Sequence, residues 1–232
     1  MTLPIILSVE GNIGSGKSTF LHELQHYLTT HNINRKSNQT PLKFCFLQEP
    51  VTIWQTIVDK DGKNILENYY ADQKKYAFAF QMMAYISRLS ILREALKNDY
   101  DVIITERSIF TDKHVFAKML YDTDKIEEIE YNIYNMWFKE FIDELPPIYF
   151  VYVKTNHEIA NERVLVRARV GETIPIEYLS ECNRYHEDWL NEISESSILR
   201  MDGNVDMNSN KESVLANWFK DVTEFVSLIC SA

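Results

Sequence analysis

The chain alternates short, continuous apolar runs with longer segments in which apolar residues recur every three or four positions. Continuous runs are typical of parallel strands buried on both faces, and the wider spacing is typical of helices. We predict five strands, which are Ile5–Val9, Phe44–Leu47, Val102–Thr105, Ile148–Val153 and Ile198–Met201. Strands that alternate with helices predict an α/β fold with a parallel sheet and right-handed crossovers.

Helical spacing is clearest in two stretches. One apolar stripe runs from Phe20 to Leu28, and a longer one runs from Phe78 to Leu96. Thr155, followed by Glu158, fits a capping box that opens a third helix towards Arg169. Residues 31–40 are polar and typical of a surface loop. The sequence has no internal repeat and no mark of a boundary, so we predict a single domain over residues 1–232.

Composition excludes several classes of partner. The net charge is −10, which argues against a surface that binds nucleic acid. No stretch reaches the roughly 18 consecutive apolar residues of a membrane span, and the first apolar run has no basic region before it. The odd count of three cysteines, without metal-binding spacing, predicts reduced thiols and a cytoplasmic location.

Residues 11–18 match the pattern GxxxxGK[ST] between a predicted strand and a predicted helix. Backbone N–H groups of such a loop wrap an anion, Lys17 reaches the β- and γ-phosphates, and the Ser18 hydroxyl joins the Mg²⁺ shell. The competing interpretation is a glycine-rich turn that binds nothing, which the strand–loop–helix context disfavours. A guanine-reading NKxD is missing, because the only Asn-Lys pair is followed by Glu-Ser, so ATP is the predicted donor.

Charged residues end the second and third predicted strands. Glu49 follows the second strand, and Glu106 and Arg107 follow the third. Parallel strands present their carboxyl ends at one edge, so these side chains should face the phosphate loop. An ion pair between Glu106 and Arg107, and a solvated Glu49, are the structural alternatives. Bound phosphate repels a carboxylate unless the carboxylate binds a metal ion or takes part in proton transfer, so the position of these acids favours one of those two roles.

Five ordered motifs make the chain resemble the deoxyribonucleoside kinase family, the group with deoxycytidine, deoxyguanosine and insect multisubstrate kinases. The motifs are GNIGSGKST, QEPVTIW, FAFQMMAYISR, ERSIFTD and RVLVRARVGE, and the resemblance extends from Ile5 to about Asp206. It implies a P-loop fold with a five-stranded parallel sheet, flanking helices and an arginine-rich lid. It also implies transfer of the γ-phosphate of ATP to the 5′-hydroxyl of a deoxyribonucleoside.

The resemblance implies a role for each matched residue at the reacting end. Glu49 accepts the proton of the 5′-hydroxyl, Arg107 holds the 5′-oxygen in line, and Ser18 and Glu106 face Mg²⁺. Whether Glu49 or Glu106 is the general base stays open, and we favour Glu49. The residues implied to bind ATP and its phosphates are Gly11, Asn12, Ile13, Gly14, Ser15, Gly16, Lys17, Ser18, Thr19, Arg163, Arg167, Arg169, Asp206 and Met207.

A second set is implied to hold the nucleoside. Gln81, Ala84 and Arg88 share a helix face by their spacing. The implied pocket comprises Trp54, Leu66, Tyr69, Tyr70, Phe80, Gln81, Arg88, Arg107, Asp112, Phe116 and Glu172. Arg88 and Asp112 match residues that thymidine-accepting relatives replace with apolar ones. We therefore expect deoxycytidine, deoxyadenosine or deoxyguanosine to be preferred over thymidine, whose carbonyl would face a carboxylate.

Two alternatives remain at this stage. A nucleoside monophosphate kinase such as thymidylate kinase shares the P-loop and lid, but its anionic acceptor requires cations where Glu49 lies. A non-catalytic nucleotide-binding subunit of the same fold would not need Lys17, Ser18, Glu49 and Arg107 together. The resemblance also predicts a homodimer built on helix faces.

Overall fold

A computed structural model describes residues 3–35, 39–169, 174–205 and 210–230. In these ranges five parallel strands form one sheet in the order β2-β3-β1-β4-β5. The strands are β1 (Ile5–Glu10), β2 (Phe44–Leu47), β3 (Val102–Glu106), β4 (Ile148–Lys154) and β5 (Ile198–Asp202). The predicted strands and the α/β fold are confirmed, and four strands continue one polar residue past the apolar run.

Helices connect the strands and cover both faces of the sheet. They are α1 (Lys17–Thr30), α2 (Val51–Gln55), α3 (Ile65–Ala71), α4 (Gln73–Ala95), α5 (Ile109–Thr111), α6 (Lys118–Asp122), α7 (Glu128–Ile142), α8 (His157–Arg167), α9 (Ile176–Leu190) and α10 (Lys211–Ile229). A π-helical stretch, Asp112–Ala117, joins α5 to α6, and a 3₁₀ turn, Glu195–Ser197, precedes β5. Within the described ranges, no helix combines the length and apolar character needed to cross a bilayer.

The core consists of two layers, one on each face of the sheet. On one face, the side chains of β1 and β4 pack against α1 and α10, where Phe20 meets Trp218 edge-on at a ring-centroid distance of 5.4 Å. On the other face, Phe150 and Tyr152 of β4 pack against Trp189 of α9, and the end of α4 covers Ile103. Because both faces are covered, the strands are mostly apolar, as a buried parallel sheet requires.

The predicted capping box of α8 is wrong. The N-cap residue is Asn156, and no side chain caps the helix. Thr155 lies one residue before the cap and donates its hydroxyl to the carbonyl oxygen of Ser15, at 3.3 Å. The helix ends at Arg167, since Ala168 adopts a left-handed conformation with φ of 44°. Arg169 therefore lies beyond the helix rather than on it.

Strand order and register bring the predicted site residues to one edge. Val9 of β1 pairs with Glu106 of β3, so the glycine-rich loop and the end of β3 begin side by side. Leu47 of β2 pairs with Thr105, which places Glu49 two residues beyond the same edge. The central position of β1 thus puts the phosphate loop between residues from β3 and β4.

Candidate active site

A cavity of about 1210 Å³ opens at the carboxyl edge of the sheet. The site residues predicted from the sequence that line it are Ile13, Gly14, Ser15, Gly16, Lys17, Ser18, Thr19, Glu49, Trp54, Leu66, Tyr69, Tyr70, Phe80, Gln81, Arg88, Glu106, Arg107, Asp112, Phe116, Arg163, Arg167 and Arg169. Gly11 and Asn12 are buried in the same loop but are not part of the lining. Glu172, Asp206 and Met207 lie outside the described residues.

The loop between β1 and α1 is held close to its neighbours. Gly14 has φ of 79°, and a Cβ atom there would lie 2.3 Å from the backbone oxygen of Ala160, so only glycine fits. The side-chain amide of Asn12 donates to the backbone oxygen of Leu179 at 2.8 Å. The loop is therefore fixed against both α8, which carries Arg163 and Arg167, and α9, the next helix along the chain.

Lys17 occupies the first position of α1 and is almost completely buried. Its Nζ atom donates to the backbone oxygen of Asn12 at 2.6 Å and to the Ser15 hydroxyl at 3.3 Å. Burial, together with the nearby Arg107 guanidinium, lowers the pKa of Lys17 to about 7, against the opposing effect of Glu106. An arriving polyphosphate would favour the charged form, because an opposite charge raises the pKa of a lysine.

Ser18 and Glu106 place two hard oxygen donors at the base of the cavity. The Ser18 hydroxyl donates to a Glu106 carboxylate oxygen at 2.5 Å, which joins the start of α1 to the end of β3. Among the described residues, no cluster of three or more His, Cys, Asp or Glu side chains could hold a metal ion. The pair suits Mg²⁺, which usually takes one or two protein ligands and completes its shell with water and phosphate oxygens.

Glu49 lies between two arginines. One of its oxygens accepts from Arg107 at 2.8 Å and from Arg88 at 3.2 Å. Burial raises the pKa of this carboxyl group, but the positive charges of Arg107, Arg88 and Lys17 outweigh burial and bring the pKa down to about 2. Glu49 is therefore ionised at neutral pH, and it faces the cavity as a hydrogen-bond acceptor.

Arg88 also holds Asp112, the first residue of the π-helical stretch. The Arg88 guanidinium donates to the two carboxylate oxygens of Asp112 at 3.0 and 3.3 Å, and to the backbone oxygen of Glu106 at 2.9 Å. Both side chains are buried. Burial raises the pKa of Asp112 in spite of the arginine, whereas Asp112 and Glu49 overcome the effect of burial and raise the pKa of Arg88.

Aromatic side chains form the wall beside this charged pair. Phe80 stacks on Tyr69 with ring centroids 4.5 Å apart and meets Trp54 edge-on at 5.6 Å. The Trp54 indole N–H donates to the Ser87 hydroxyl, which fixes the ring against α4. Gln81 lies on the same helix, and its buried side-chain oxygen has no hydrogen-bond partner among the residues that the structure describes. A buried acceptor of this kind suits a donor on a bound ligand.

The predicted lid arginines approach the cavity from α8. Arg163 donates to the backbone oxygens of Ser15, at 3.3 Å, and Val205, at 3.0 Å, so it joins the phosphate loop to the segment after β5. Arg167 at the end of α8 and Arg169 beyond it also line the cavity. The spacing of four between Arg163 and Arg167 accounts for their presence on one side of the helix.

Tyr178 and Glu10 are among the residues at or near the cavity that the sequence did not predict. Tyr178, in the first turn of α9, lines the cavity, and its hydroxyl lies 3.0 Å from the hydroxyl of Tyr69. Glu10, the last residue of β1, is fully buried and accepts hydrogen bonds from the segment that follows Arg107. A charged residue directly after a buried apolar run was the available signal for Glu10. Tyr178 had no comparable signal.

Comparison with known proteins gives one family. The family model for deoxynucleoside kinases matches residues 7–227. A fowlpox virus protein named as a probable deoxycytidine kinase is 34% identical over 230 residues, covering 94% of this chain and 88% of its own length. Rat deoxycytidine kinase is 30% identical over 242 residues, covering 95% and 90%. The mitochondrial deoxyguanosine kinase of Xenopus laevis is 33% identical over 204 residues, covering 79% and 72%.

Proposed function

The chain belongs to the deoxynucleoside kinase family and is an ATP-dependent kinase of deoxynucleosides, and we propose how its residues bind and select the substrates. The γ-phosphate passes from ATP to the 5′-hydroxyl of the deoxyribonucleoside. One observation carries the proposal. Glu49 lies between Arg107 and Arg88 in the same cavity as the phosphate loop, where it can accept a hydrogen bond from a neutral hydroxyl. The thymidylate kinase alternative is not favoured, since an anionic acceptor would be repelled by this carboxylate.

Glu49 and Arg107 act on the attacking oxygen. The 5′-oxygen forms a bond to the γ-phosphorus, the bond from that phosphorus to the bridging oxygen of ADP breaks, and the hydroxyl proton passes to Glu49. A carboxylate with a pKa of about 2 is a weak base, so its main contribution is to orient the hydroxyl. This suits phosphoryl transfer, which depends mostly on positioning and on stabilisation of charge.

The phosphate groups lie over the loop between β1 and α1. Backbone N–H groups of the loop and the side chain of Lys17 hold the β- and γ-phosphates, and the three lid arginines cover them. Asp206 and Met207 are proposed to face the adenine, and Glu172 the sugar. Mg²⁺ is proposed to bind at Ser18 and Glu106, where it would neutralise phosphate charge.

Arg88 and Asp112 are proposed to select the base, with Gln81 binding its edge and the aromatic wall holding its faces. Arg88 can donate to a ring acceptor such as a purine N7, and Asp112 can accept from an exocyclic amino group. Thymine presents a carbonyl group and a methyl group instead, which leaves the buried carboxylate facing an oxygen. Deoxycytidine, deoxyadenosine and deoxyguanosine are therefore the proposed substrates, ahead of thymidine.

The direct test of the reaction is product identification. The enzyme is incubated with ATP labelled in the γ-phosphate and with each deoxynucleoside or deoxynucleoside monophosphate, and products are separated by mass spectrometry. The proposal expects label in the 5′-monophosphate of deoxycytidine, and loss of that product by at least about a hundredfold in Arg107→Ala. Label that appears only in diphosphates would contradict the proposed acceptor.

A homodimer is proposed from an exposed apolar surface on α4 and α7. The exposed side chains are Ile86, Ile129, Ile133, Met136 and Trp137. An apolar group of this kind on two neighbouring helices is typical of a protein–protein contact, and a second copy supplies the matching surface. Light scattering should give twice the chain mass of 27.3 kDa, and Met136→Asp should reduce it to that of one chain. A wild-type mass near 27.3 kDa would contradict the dimer.

We also propose that residues 1–232 form one domain and that the protein is cytoplasmic. The single sheet that links the first and last strands supports one domain. The three free cysteines support a reducing compartment. Limited proteolysis that released two stable fragments would contradict the first proposal, and localisation of a tagged chain would test the second.

A further inference from the structure

Arg107 has an unusual backbone conformation for a residue with a side chain. Its φ angle is 62°, in the left-handed region that favours glycine. The conformation points the Arg107 guanidinium back across the cavity, where it bonds Glu49 at 2.8 Å and lies over the Phe116 ring at 5.2 Å. A left-handed arginine persists only where its surroundings fix it, and such residues concentrate at functional sites.

Both peptide groups that flank Arg107 are held by β1. The Arg107 N–H donates to the backbone oxygen of Val9 at 3.0 Å. The next N–H, that of Ser108, donates to the Glu10 carboxylate at 3.0 Å. Two consecutive residues of β1 thus anchor the chain before and after the left-handed residue, one through its backbone and one through its side chain.

Glu10 makes an unusual set of contacts for a buried carboxylate. It has no exposed surface, and its hydrogen-bond partners among the described residues are neutral donors. Oxygen Oε1 accepts from the Ser8 hydroxyl at 2.7 Å, the Ser108 hydroxyl at 2.7 Å and the Ser108 N–H. Oxygen Oε2 accepts from the Thr111 hydroxyl. Three of these four bonds lead to Ser108 and Thr111, in the segment that follows Arg107.

We propose that Glu10 is a positioning residue that fixes the left-handed turn at Arg107 and so aims the guanidinium at Glu49. The inference rests on the proposed role of Arg107 in phosphoryl transfer. Atom Oε1 of Glu10 accepts three of the four hydrogen bonds, so the turn needs an acceptor oxygen at this point. The Ser108 N–H cannot rotate to another partner as a hydroxyl can, so the turn would relax when that acceptor is lost.

The variant Glu10→Met tests this, since it keeps the approximate length of the side chain but removes both acceptor oxygens. We expect kcat with ATP and deoxycytidine to fall about tenfold to a hundredfold, as a displacement of about 1 Å in a positioning group can do. The KM for ATP should change less than about threefold, because the phosphate loop keeps its own contacts. The matched control is Ser8→Ala, which removes a Glu10 partner on β1 but leaves the bonds to Ser108 and Thr111; its kcat should stay within about twofold.

A double-variant cycle separates positioning from general destabilisation. In an Arg107→Lys background, Glu10→Met should lower kcat by less than about threefold, because the guanidinium that Glu10 positions is already gone. Thr111→Val keeps the shape of the side chain and removes one donor to Glu10, so it should lower kcat in the wild-type background and have little effect in the Arg107→Lys background. Thr111→Val carries the same test if Glu10→Met does not fold.

Two results would overturn the inference. One is wild-type kcat in Glu10→Met, and the other is an equal fold-loss of kcat in the wild-type and Arg107→Lys backgrounds. The outcome for Arg107→Lys alone is separate. If Arg107→Lys kept wild-type kcat, the proposed function of Arg107 would fail, whereas a large loss in Arg107→Lys with wild-type kcat in Glu10→Met would leave the proposed function standing.

Discussion

Replacing Arg88 and Asp112 together should widen substrate use and reveal how strongly the two residues depend on each other. Their side chains are buried and joined by two hydrogen bonds. Removing one partner of a buried ion pair costs about 3–5 kcal/mol of the free energy of unfolding. The loss for Asp112→Ala should lie near the lower end of this range, at about 3 kcal/mol, because Arg88 keeps its hydrogen bonds to Glu49 and to the backbone oxygen of Glu106.

The double variant, Arg88→Met with Asp112→Ala, removes both charges and should cost less than the sum of the single variants. The coupling between the two sites should be about 0.5–3 kcal/mol, the range for contacting residues. A selective polar contact to a base edge contributes about 1–3 kcal/mol. The ratio of kcat/KM for thymidine to that for deoxycytidine should therefore rise by about 5- to 150-fold.

Two assays measure these effects, namely equilibrium unfolding in urea for the four proteins of the cycle and steady-state kinetics with all four deoxynucleosides. Gln81→Asn is a useful control, since it shortens another base contact without touching the ion pair. Additive losses of stability, or an unchanged thymidine to deoxycytidine ratio in the double variant, would refute the reasoning.

Three further predictions concern single groups. Glu49→Gln should keep ATP affinity but lower kcat by about 10²–10⁴, because the neutral amide cannot take the hydroxyl proton and loses the ion pairs with Arg107 and Arg88 that place the acceptor. A loss of tenfold or less would reassign the base role, with Glu106 as the next candidate. ATP binding near pH 8 should be accompanied by uptake of about one proton, because Lys17 has a pKa of about 7 in the free protein and becomes protonated beside the phosphates. Calorimetry in buffers of different ionisation enthalpy measures this proton uptake. Proton uptake that persisted in Lys17→Met would contradict its assignment to Lys17. Burial lowers the pKa of His186 to about 3. Below about pH 6.5 the unfolded chain therefore binds a proton that the folded chain does not, and the free energy of unfolding decreases as the pH is lowered. Between about pH 7 and 5.5 the free energy of unfolding should decrease by about 1 kcal/mol, and urea unfolding should show a smaller decrease in His186→Gln. An unchanged dependence of the free energy of unfolding on pH in the variant would exclude His186 as the cause.

The fold was largely predictable because a buried parallel sheet leaves a strong pattern. All five strands appear as apolar runs, and the errors lie at their ends. Four strands end on a charged residue that the apolar pattern did not include, namely Glu10, Glu106, Lys154 and Asp202. Backbone pairing with the neighbouring strand, which the apolar pattern does not encode, extends the ladder to them.

Predictions from local sequence motifs fail where a contact with a residue distant in the chain determines the local structure. Thr155 has the right spacing for a capping box, but its hydroxyl bonds Ser15, 140 positions away in the chain. The left-handed backbone of Arg107 is similarly invisible in the sequence, since neither glycine nor asparagine marks it and the contacts that hold it come from β1. The composition of the candidate site was predicted from ordered motifs, whereas the support beneath Arg107 needed the structure.

The most direct test of the central claim is a set of kcat/KM values for deoxycytidine, deoxyadenosine, deoxyguanosine and thymidine with saturating ATP. Formation of each 5′-monophosphate is measured under one set of conditions. We predict that kcat/KM for at least one amino-bearing substrate exceeds that for thymidine by about tenfold or more, because Arg88 and Asp112 match its base edge. A kcat/KM for thymidine equal to or above the other three would contradict the assignment of this buried pair as the device that selects the base.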